Sequence, residues 1–419
     1  MQSILLVEPE FPIPAKSRNH KNFLPIGLLK IASYLRSKNI NVKLFRGIPK
    51  TLNEYAEILE FNPKEVWITS LFTYWSKYVK EAVQFYKRLL PGSKTVVGGI
   101  FASLLSREKV IEVTGCDDVY QGVMYEAEEY PPAYDLISGC NPHPLDYQII
   151  HTSRGCMRKC GFCGTWKIEP YFIAKKSIKN EIFQKKIVFY DNNFLMNPHV
   201  EKILQELIEL KKQGKIVWCE SQSGFDGRIL LEKPYLAKLI KKAGFIYPRV
   251  AWDSKYEDYP SIKKQIDILV DAGYQTKSIF IFMLYNWDIP FEEMELKRLK
   301  CWDWKIQISD CRYRPLNQLY DNFSHKIKNQ SSEDYYIHPL WSDSLIKQFR
   351  RNIREQNICI RHNLLFYSRR LEQKKVGKEV FNEIKNLKSK LELIEFLEGH
   401  GIDYWFPDQI RYPEDYKNK

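Results

Sequence analysis

The 419 residues predict a mixed α/β protein with a doubly wound parallel sheet over residues 1–135, a second β/α series over 147–320 and a mainly helical extension over 321–419. Three observations predict it. Short apolar runs alternate with helical patterns almost from Met1, as parallel strands buried on both faces do. Six strand–helix units follow Tyr147, which suggests a partial or full parallel barrel in place of a second open sheet. Beyond Pro315 the pattern turns helical.

In the first part the expected strands are 4–7, 42–45, 66–71, 95–97 and 118–120. Helices are expected at 25–37, with Leu28, Leu29, Ala32 and Leu35 on one face, at 54–61 and at 76–89. Pro131, Pro132, Pro142 and Pro144 then interrupt the pattern, and residues 136–146 read as a linker because proline stops helices and strands alike. The second series has expected strands at 149–152, 186–191, 217–222, 249–253, 278–284 and 305–309, with its clearest helices at 199–213, 235–243 and 262–272. In the extension the strongest helical segments are 342–354 and 376–397.

Composition excludes several classes. With 44% hydrophobic residues, 26 Tyr, 23 Phe and 10 Trp, the chain has ample surface to bury and is not disordered. Nine cysteines are too few and too scattered for a disulfide scaffold. No basic leader precedes the first strand, and the longest apolar run, 278–287, is half of what a bilayer requires, so a cytoplasmic protein without membrane contact is expected. Cysteines stay reduced there, and clustered ones read as metal ligands.

The most specific motif is Cys156-Met-Arg-Lys-Cys160-Gly-Phe-Cys163, on a loop after the first strand of the second series. Three thiolates so spaced suit an iron–sulfur cube with one iron left open. A zinc site with His151 as fourth ligand is the alternative, although no second cysteine pair accompanies the motif. Arg154, Arg158 and Lys159 would offset the negative charge of a cluster.

CxxxCxxC with Phe162 before the last cysteine resembles the motif of radical S-adenosylmethionine enzymes. The resemblance implies a 4Fe-4S cluster on Cys156, Cys160 and Cys163, and S-adenosylmethionine on the open iron. It also implies cleavage to methionine and a 5′-deoxyadenosyl radical, with an electron donor such as flavodoxin or ferredoxin. In parallel barrels chemistry sits at the carboxyl ends of the strands. There Asp191, Asn192 and Asn193 look like an acidic-polar variant of the family's cofactor-binding turn, or else a helix cap. Gln222, Ser223 and Asp253 are further candidates for the same cofactor, with loop or cap roles as alternatives. Arg312 and Arg314 are candidates for an anionic substrate group or for a salt bridge to the first part.

The first part resembles the flavodoxin- or Rossmann-like cobalamin-binding domain that precedes the barrel in one subgroup of that family. The likeness rests on Ile4–Pro9, Leu24–Leu35, Gly98-Gly99 and Gln121-Gly122. It implies cobalamin at the carboxyl edge, near Ser70, Leu71, Phe72, Thr73, Gly98, Gly99 and Gly122. No Asp-x-His-x-x-Gly marks a cobalt ligand, and loss of the cofactor is the alternative.

The net charge of +13 gathers partly around the cluster loop and partly in the basic stretches Lys347–Arg354 and Ser368–Arg370. These read as solvated helix faces rather than a nucleic-acid surface. His362 is a candidate for substrate contact or proton transfer. The expected reaction is cobalamin-dependent methylation of an unactivated carbon. The alternatives are radical rearrangement, oxidation or cyclisation without methyl transfer, and a nucleic-acid-binding protein with a structural cluster. The substrate, whether small molecule, peptide or nucleotide-like, is not encoded in any motif.

Overall fold

The structure, a computed structural model, describes residues 2–13, 24–137, 146–368, 377–387 and 389–413. Five strands form the first sheet: β1 (Ser3–Glu8), β2 (Asn41–Arg46), β3 (Glu65–Ser70), β4 (Lys94–Gly99) and β5 (Asp118–Val119). Their order is β2-β1-β3-β4-β5 and every pairing is parallel. The chain reverses direction across the sheet at β1, and open sheets of this order place their binding crevice outside the carboxyl ends at the β1/β3 position. All six residues of β1 are buried, as a central parallel strand demands. Helix Ile26–Ser37 lays Leu28, Leu29, Ala32 and Leu35 against the sheet, and each buried leucine contributes about 1.5–3 kcal/mol. Helix Leu52–Phe61 begins two residues before the expected start because Thr51 and Glu54 form a capping box.

The second series opens with β6 (Gln148–Ile150) and a two-residue antiparallel ladder of β7 (Ser153–Arg154) and β8 (Ile173–Ala174). It continues with β9 (Lys186–Phe189), β10 (Trp218–Ser221), β11 (Arg249–Ala251), β12 (Phe280–Tyr285) and β13 (Gln307–Arg312). The six longer strands form two parallel sheets, β10-β9-β6 and β11-β12-β13, in place of one uninterrupted wall. Among the described residues one isolated parallel bridge, Cys219 to Phe245, ties β10 to the chain just before β11. The ladder stops there for a local reason: Tyr247 has φ 50°, in the left-handed region, and Pro248 has no N–H to donate. The Arg249 guanidinium crosses the gap, donating to the Ser221 carbonyl at 2.8 Å and the Glu220 carboxylate at 2.5 Å.

Ile149 and Val188 of the second series share an apolar cluster with Ile4, Leu6, Leu28 and Leu29 of the first. The two regions therefore meet through a common core.

In the extension, helix Asp343–His362 is capped by Ser342 and runs two turns past the expected end. The single helix expected at 376–397 is instead two, Gly377–Asn386 and Lys390–Gly399, because Ser389 and Glu392 form a fresh capping box. Val376, Arg369, Arg370, Cys140, Pro142 and Pro144 lie outside the described residues. Among the described residues no helix is long and apolar enough to cross a membrane.

Candidate active site

The three motif cysteines lie on the loop enclosed by the β7/β8 ladder. Where the two ends of the loop cross, Gly155 has φ 80°, and a Cβ there would overlap the Tyr171 carbonyl. Only glycine fits that crossing. The Glu169 carboxylate ties the loop down: it accepts from the Gly155 amide at 2.6 Å and the Asn192 side chain at 2.8 Å, and pairs with Arg154 at 2.8 Å. Within the loop the Cys163 amide donates to the Cys160 carbonyl at 3.0 Å, as does the Trp166 indole at 3.2 Å. Burial raises the Cys160 thiol pKa, and the neighbouring Cys163 adds to the effect.

All three cysteines line one cavity of about 690 Å³. Phe162 of the same loop lines it too, with Asn192, Asn193, Ser223 and Asp253 from the carboxyl ends of β9, β10 and β11. The Asn193 Nδ2 donates to Asp226 at 3.0 Å, while its Oδ1 is buried without a partner. Burial alone would raise the Asp226 pKa, yet bonds from Arg228, Asn193 and Arg158 hold it below the usual range. The arginines expected to offset cluster charge are thus already paired, Arg158 with Asp226 and Arg154 with Glu169. Burial raises the Asp253 pKa against the pull of Lys297. Lys297 is itself lowered to about 8 by burial, and donates to the Trp252 and Ser254 carbonyls.

Several sequence candidates lie elsewhere. Asp191 does not reach the cavity: its fully buried carboxylate accepts from the amides and hydroxyls of Thr152 and Ser153, so it is a strut beneath the loop. Gln222 faces a second cavity, of about 900 Å³, nearer the amino ends of the strands. The two cavities share one face of the strands. Glu220, Arg249, Phe280 and Ser309 line the lower one, and Ala251, Phe282 and Cys311, each two residues further along its strand, line the upper one. Arg312 and Arg314 both bind Asp321, and the Arg314 guanidinium lies 4.5 Å from the Tyr74 ring of the first region. Both also line the small cavity beside Phe162, where the Arg312 Nη1 is buried without a partner. His362 is exposed in the last turn of its helix, away from the cysteine cavity, and the buried His151 ring does not line it either.

Sequence reasoning missed Cys311 and Gln265. Cys311, next to last in β13, stands exposed in the cavity wall. Gln265 reaches the same cavity over Gly227, its Oε1 unpartnered. Neither position carries a local signal, since both are brought in by distant elements.

The first sheet turns its carboxyl edge toward the cysteine loop. There the Ser70 hydroxyl donates to the Gly98 carbonyl at 2.6 Å and accepts from the Ala102 amide at 3.2 Å. Gly99, at φ 94°, packs so closely on Ser70 that a Cβ would overlap the Ser70 carbonyl, whereas Gly98 has room for one. Leu71 packs on the core and Thr73 is buried, while Phe72 is exposed and stacks on Tyr74 at 5.0 Å. The Gly122 amide donates to Ser103. A cavity of about 320 Å³ separates Phe72, Ile100 and Leu104 from Phe162 and Gly164.

Among the described residues no three His, Cys, Asp or Glu side chains converge on one metal ion. A four-iron cube takes one thiolate per iron, so three thiols distributed around a cavity suit it. A corrinoid is larger than a drug-sized ligand, for which pockets run to roughly 300–1,000 Å³. The cavity between the two edges, about 320 Å³, lies at the small end of that range, with the Leu104 side chain facing Gly164.

Comparison with protein-family models and with curated proteins returns no match. Among solved structures, the apo form of OxsB, a cobalamin-dependent S-adenosylmethionine radical enzyme, aligns with a TM-score of 0.50 at 14% identity over 73% of this chain and 51% of that one. OxsB with aqua-cobalamin bound aligns with the same score and identity over 73% and 52%. The chain spans about half the length of that enzyme. Over nearly three quarters of its residues, this protein shares the fold of a cobalamin-dependent radical S-adenosylmethionine enzyme.

Proposed function

We propose that the chain is a radical S-adenosylmethionine enzyme, with Cys156, Cys160 and Cys163 as ligands of a four-iron four-sulfur cluster and residues 147–320 as its barrel. The observation that carries this reading is that all three thiols line one cavity with polar groups from three successive strand ends. When bound, the cluster would supply the electron that splits S-adenosylmethionine into methionine and a hydrogen-abstracting 5′-deoxyadenosyl radical.

The residues of the chain have distinct tasks around that chemistry. The unpartnered Asn193 Oδ1 and the Asp253 carboxylate are acceptors for the ammonium and ribose hydroxyls of the cofactor, with Asn192 and Ser223 beside them. Phe162, Phe282 and Leu284 provide the apolar wall that keeps water from a reactive intermediate. Asp191 and Glu169 hold the loop in register for these contacts. A flavodoxin- or ferredoxin-type protein is the electron donor in this reading.

Methylation of an unactivated carbon is the favoured outcome, with cobalamin at the edge formed by Ser70–Thr73, Gly98-Gly99 and Gly122. It requires that edge to part from the cysteine loop. The close approach of Leu104 to Gly164 supports a second reading, radical rearrangement, oxidation or cyclisation without methyl transfer. Protein purified without oxygen is expected to be brown and, given S-adenosylmethionine and a reductant, to release 5′-deoxyadenosine and methionine. A Cys160→Ala variant with undiminished cluster absorbance and cleavage would sink the proposal. S-adenosylhomocysteine formation after cobalamin reconstitution distinguishes the two outcomes, since only methyl transfer makes it.

A further inference from the structure

Beyond Pro315, stretches far apart in sequence meet around a cavity of about 680 Å³ that shares no lining residue with the cysteine cavity. The loop carrying Phe323, Lys326 and Lys328 forms one side, helix Asp343–His362 another, and the chain around Phe366 and Trp405 a third. Among the described residues, seven Lys and Arg side chains line it, against the two carboxylates of Glu355 and Asp403.

Some of these cations are committed. Lys347 pairs with Asp343 at 2.6 Å and Arg411 with Glu355 at 3.6 Å. Others are not: among the described residues Lys326, Lys328 and Arg354 make no ion pair and no side-chain hydrogen bond. Arg350 sits one helical turn from Arg354, so the two repel, and it reaches Asp310 only at 3.8 Å. A second observation is independent of charge. Trp405 is 7% exposed, its Nε1 is buried without an acceptor, and its ring lies 5.2 Å from the Arg298 guanidinium and 5.5 Å from that of Arg411. An indole N–H donates only. The uncommitted polar groups named here are therefore all donors or cations, and what they lack is a ligand rich in acceptor oxygens.

We propose that this cavity binds a small anion carrying two or more phosphate groups. Guanidinium groups match phosphate oxygens in a planar, two-bond geometry, and lysines add point charge. A concave cavity of this size suits a small molecule better than the open groove that tracks a polymer. The inference does not depend on the chemistry proposed for the cysteine loop.

Calorimetric titration of the full chain with tripolyphosphate, ATP and adenosine tests it. Tripolyphosphate and ATP are expected to bind and adenosine is not. Equal affinity for the first two identifies free polyphosphate as the ligand chemistry, and tighter ATP binding by about tenfold or more identifies a nucleotide. The triple variant Lys326→Gln, Lys328→Gln, Arg354→Gln changes only exposed side chains and is expected to weaken binding about tenfold or more. Trp405→Phe keeps a ring but removes the donor, and is expected to weaken it severalfold. Cys160→Ala is expected to bind as the parent does, which separates this result from failure of the proposed enzyme. The inference is overturned if the parent binds neither anion at millimolar concentration, or if the triple variant binds as well as the parent. Displacement of bound tripolyphosphate by a short single-stranded oligonucleotide at much lower concentration would also overturn it, by making the surface a polymer groove.

Discussion

At the carboxyl edge of the first sheet, backbone sterics set the shape: Gly99 brings β4 so close to Ser70 that no side chain fits, and the loops that follow are largely apolar. At the facing edge of the second series, buried charge sets it. Asp191, Glu169 and Asp226 each collect several donors and pin the cysteine loop from below and from the sides. An edge built by sterics tolerates changes of pH but not of volume. An edge built by buried carboxylates does the reverse.

The contrast can be broken most directly at Asp191. Asp191→Ala leaves the amides and hydroxyls of Thr152 and Ser153 without their acceptor in the interior, and is expected to cost about 3–5 kcal/mol in urea unfolding. A loss below about 1 kcal/mol would mean that the carboxylate does not hold the loop. On the steric side, Gly99→Ala is expected to cost about 2–4 kcal/mol through strain and overlap, while Gly98→Ala stays within about 0.5 kcal/mol. Equal effects at the two neighbours would remove the steric argument.

Lys297 tests the pH side. Its folded pKa, about 8, lies below the ordinary lysine value, so between the two the unfolded chain binds more protons. Stability is therefore expected to rise with pH from about 8 toward 10.4, by up to about 3 kcal/mol, and Lys297→Met should flatten that rise. The smallest effect belongs to Asp118 at the start of β5. A bond from Lys94, with the Val119 amide, holds it at about 2. Its contribution, below about 1 kcal/mol at a largely solvated pair, is present above the ordinary carboxylate value of about 3.9 and lost as pH falls toward 2. Asp118→Asn should remove that acid-side slope and leave the Lys297 rise intact.

What could be read from the sequence was local. The first-sheet strands are apolar runs, and the expected helix 76–89 matches the observed Ser76–Leu89. The cysteine triplet was legible because its spacing lies within one loop. Asp191 was not, because its orientation is decided by Thr152 and Ser153, nearly forty residues earlier. For Arg312 and Arg314 the sequence offered an anionic group or a salt bridge to the first part, and the partner found, Asp321, lies only a few residues on, in a loop that carries no periodic pattern. Cys311 had no motif at all, and only the register of β13 against β12 puts it in the wall. The break in the ladder was not anticipated, because Pro248, whose missing N–H cannot continue a parallel pairing, directly precedes an expected strand.

The shared face of the strands has a consequence for engineering. Its lining residues advance two at a time, from Arg249 to Ala251 and Asp253, and from Phe280 to Phe282 and Leu284. Each advance is roughly 6–7 Å along a strand. The wall is thus graduated like a depth gauge. Enlarging Ala251 shortens the space above one mark without disturbing the marks below it, and trimming Phe280 deepens it by one. Depth can be reset a rung at a time, with the thiols left where they are.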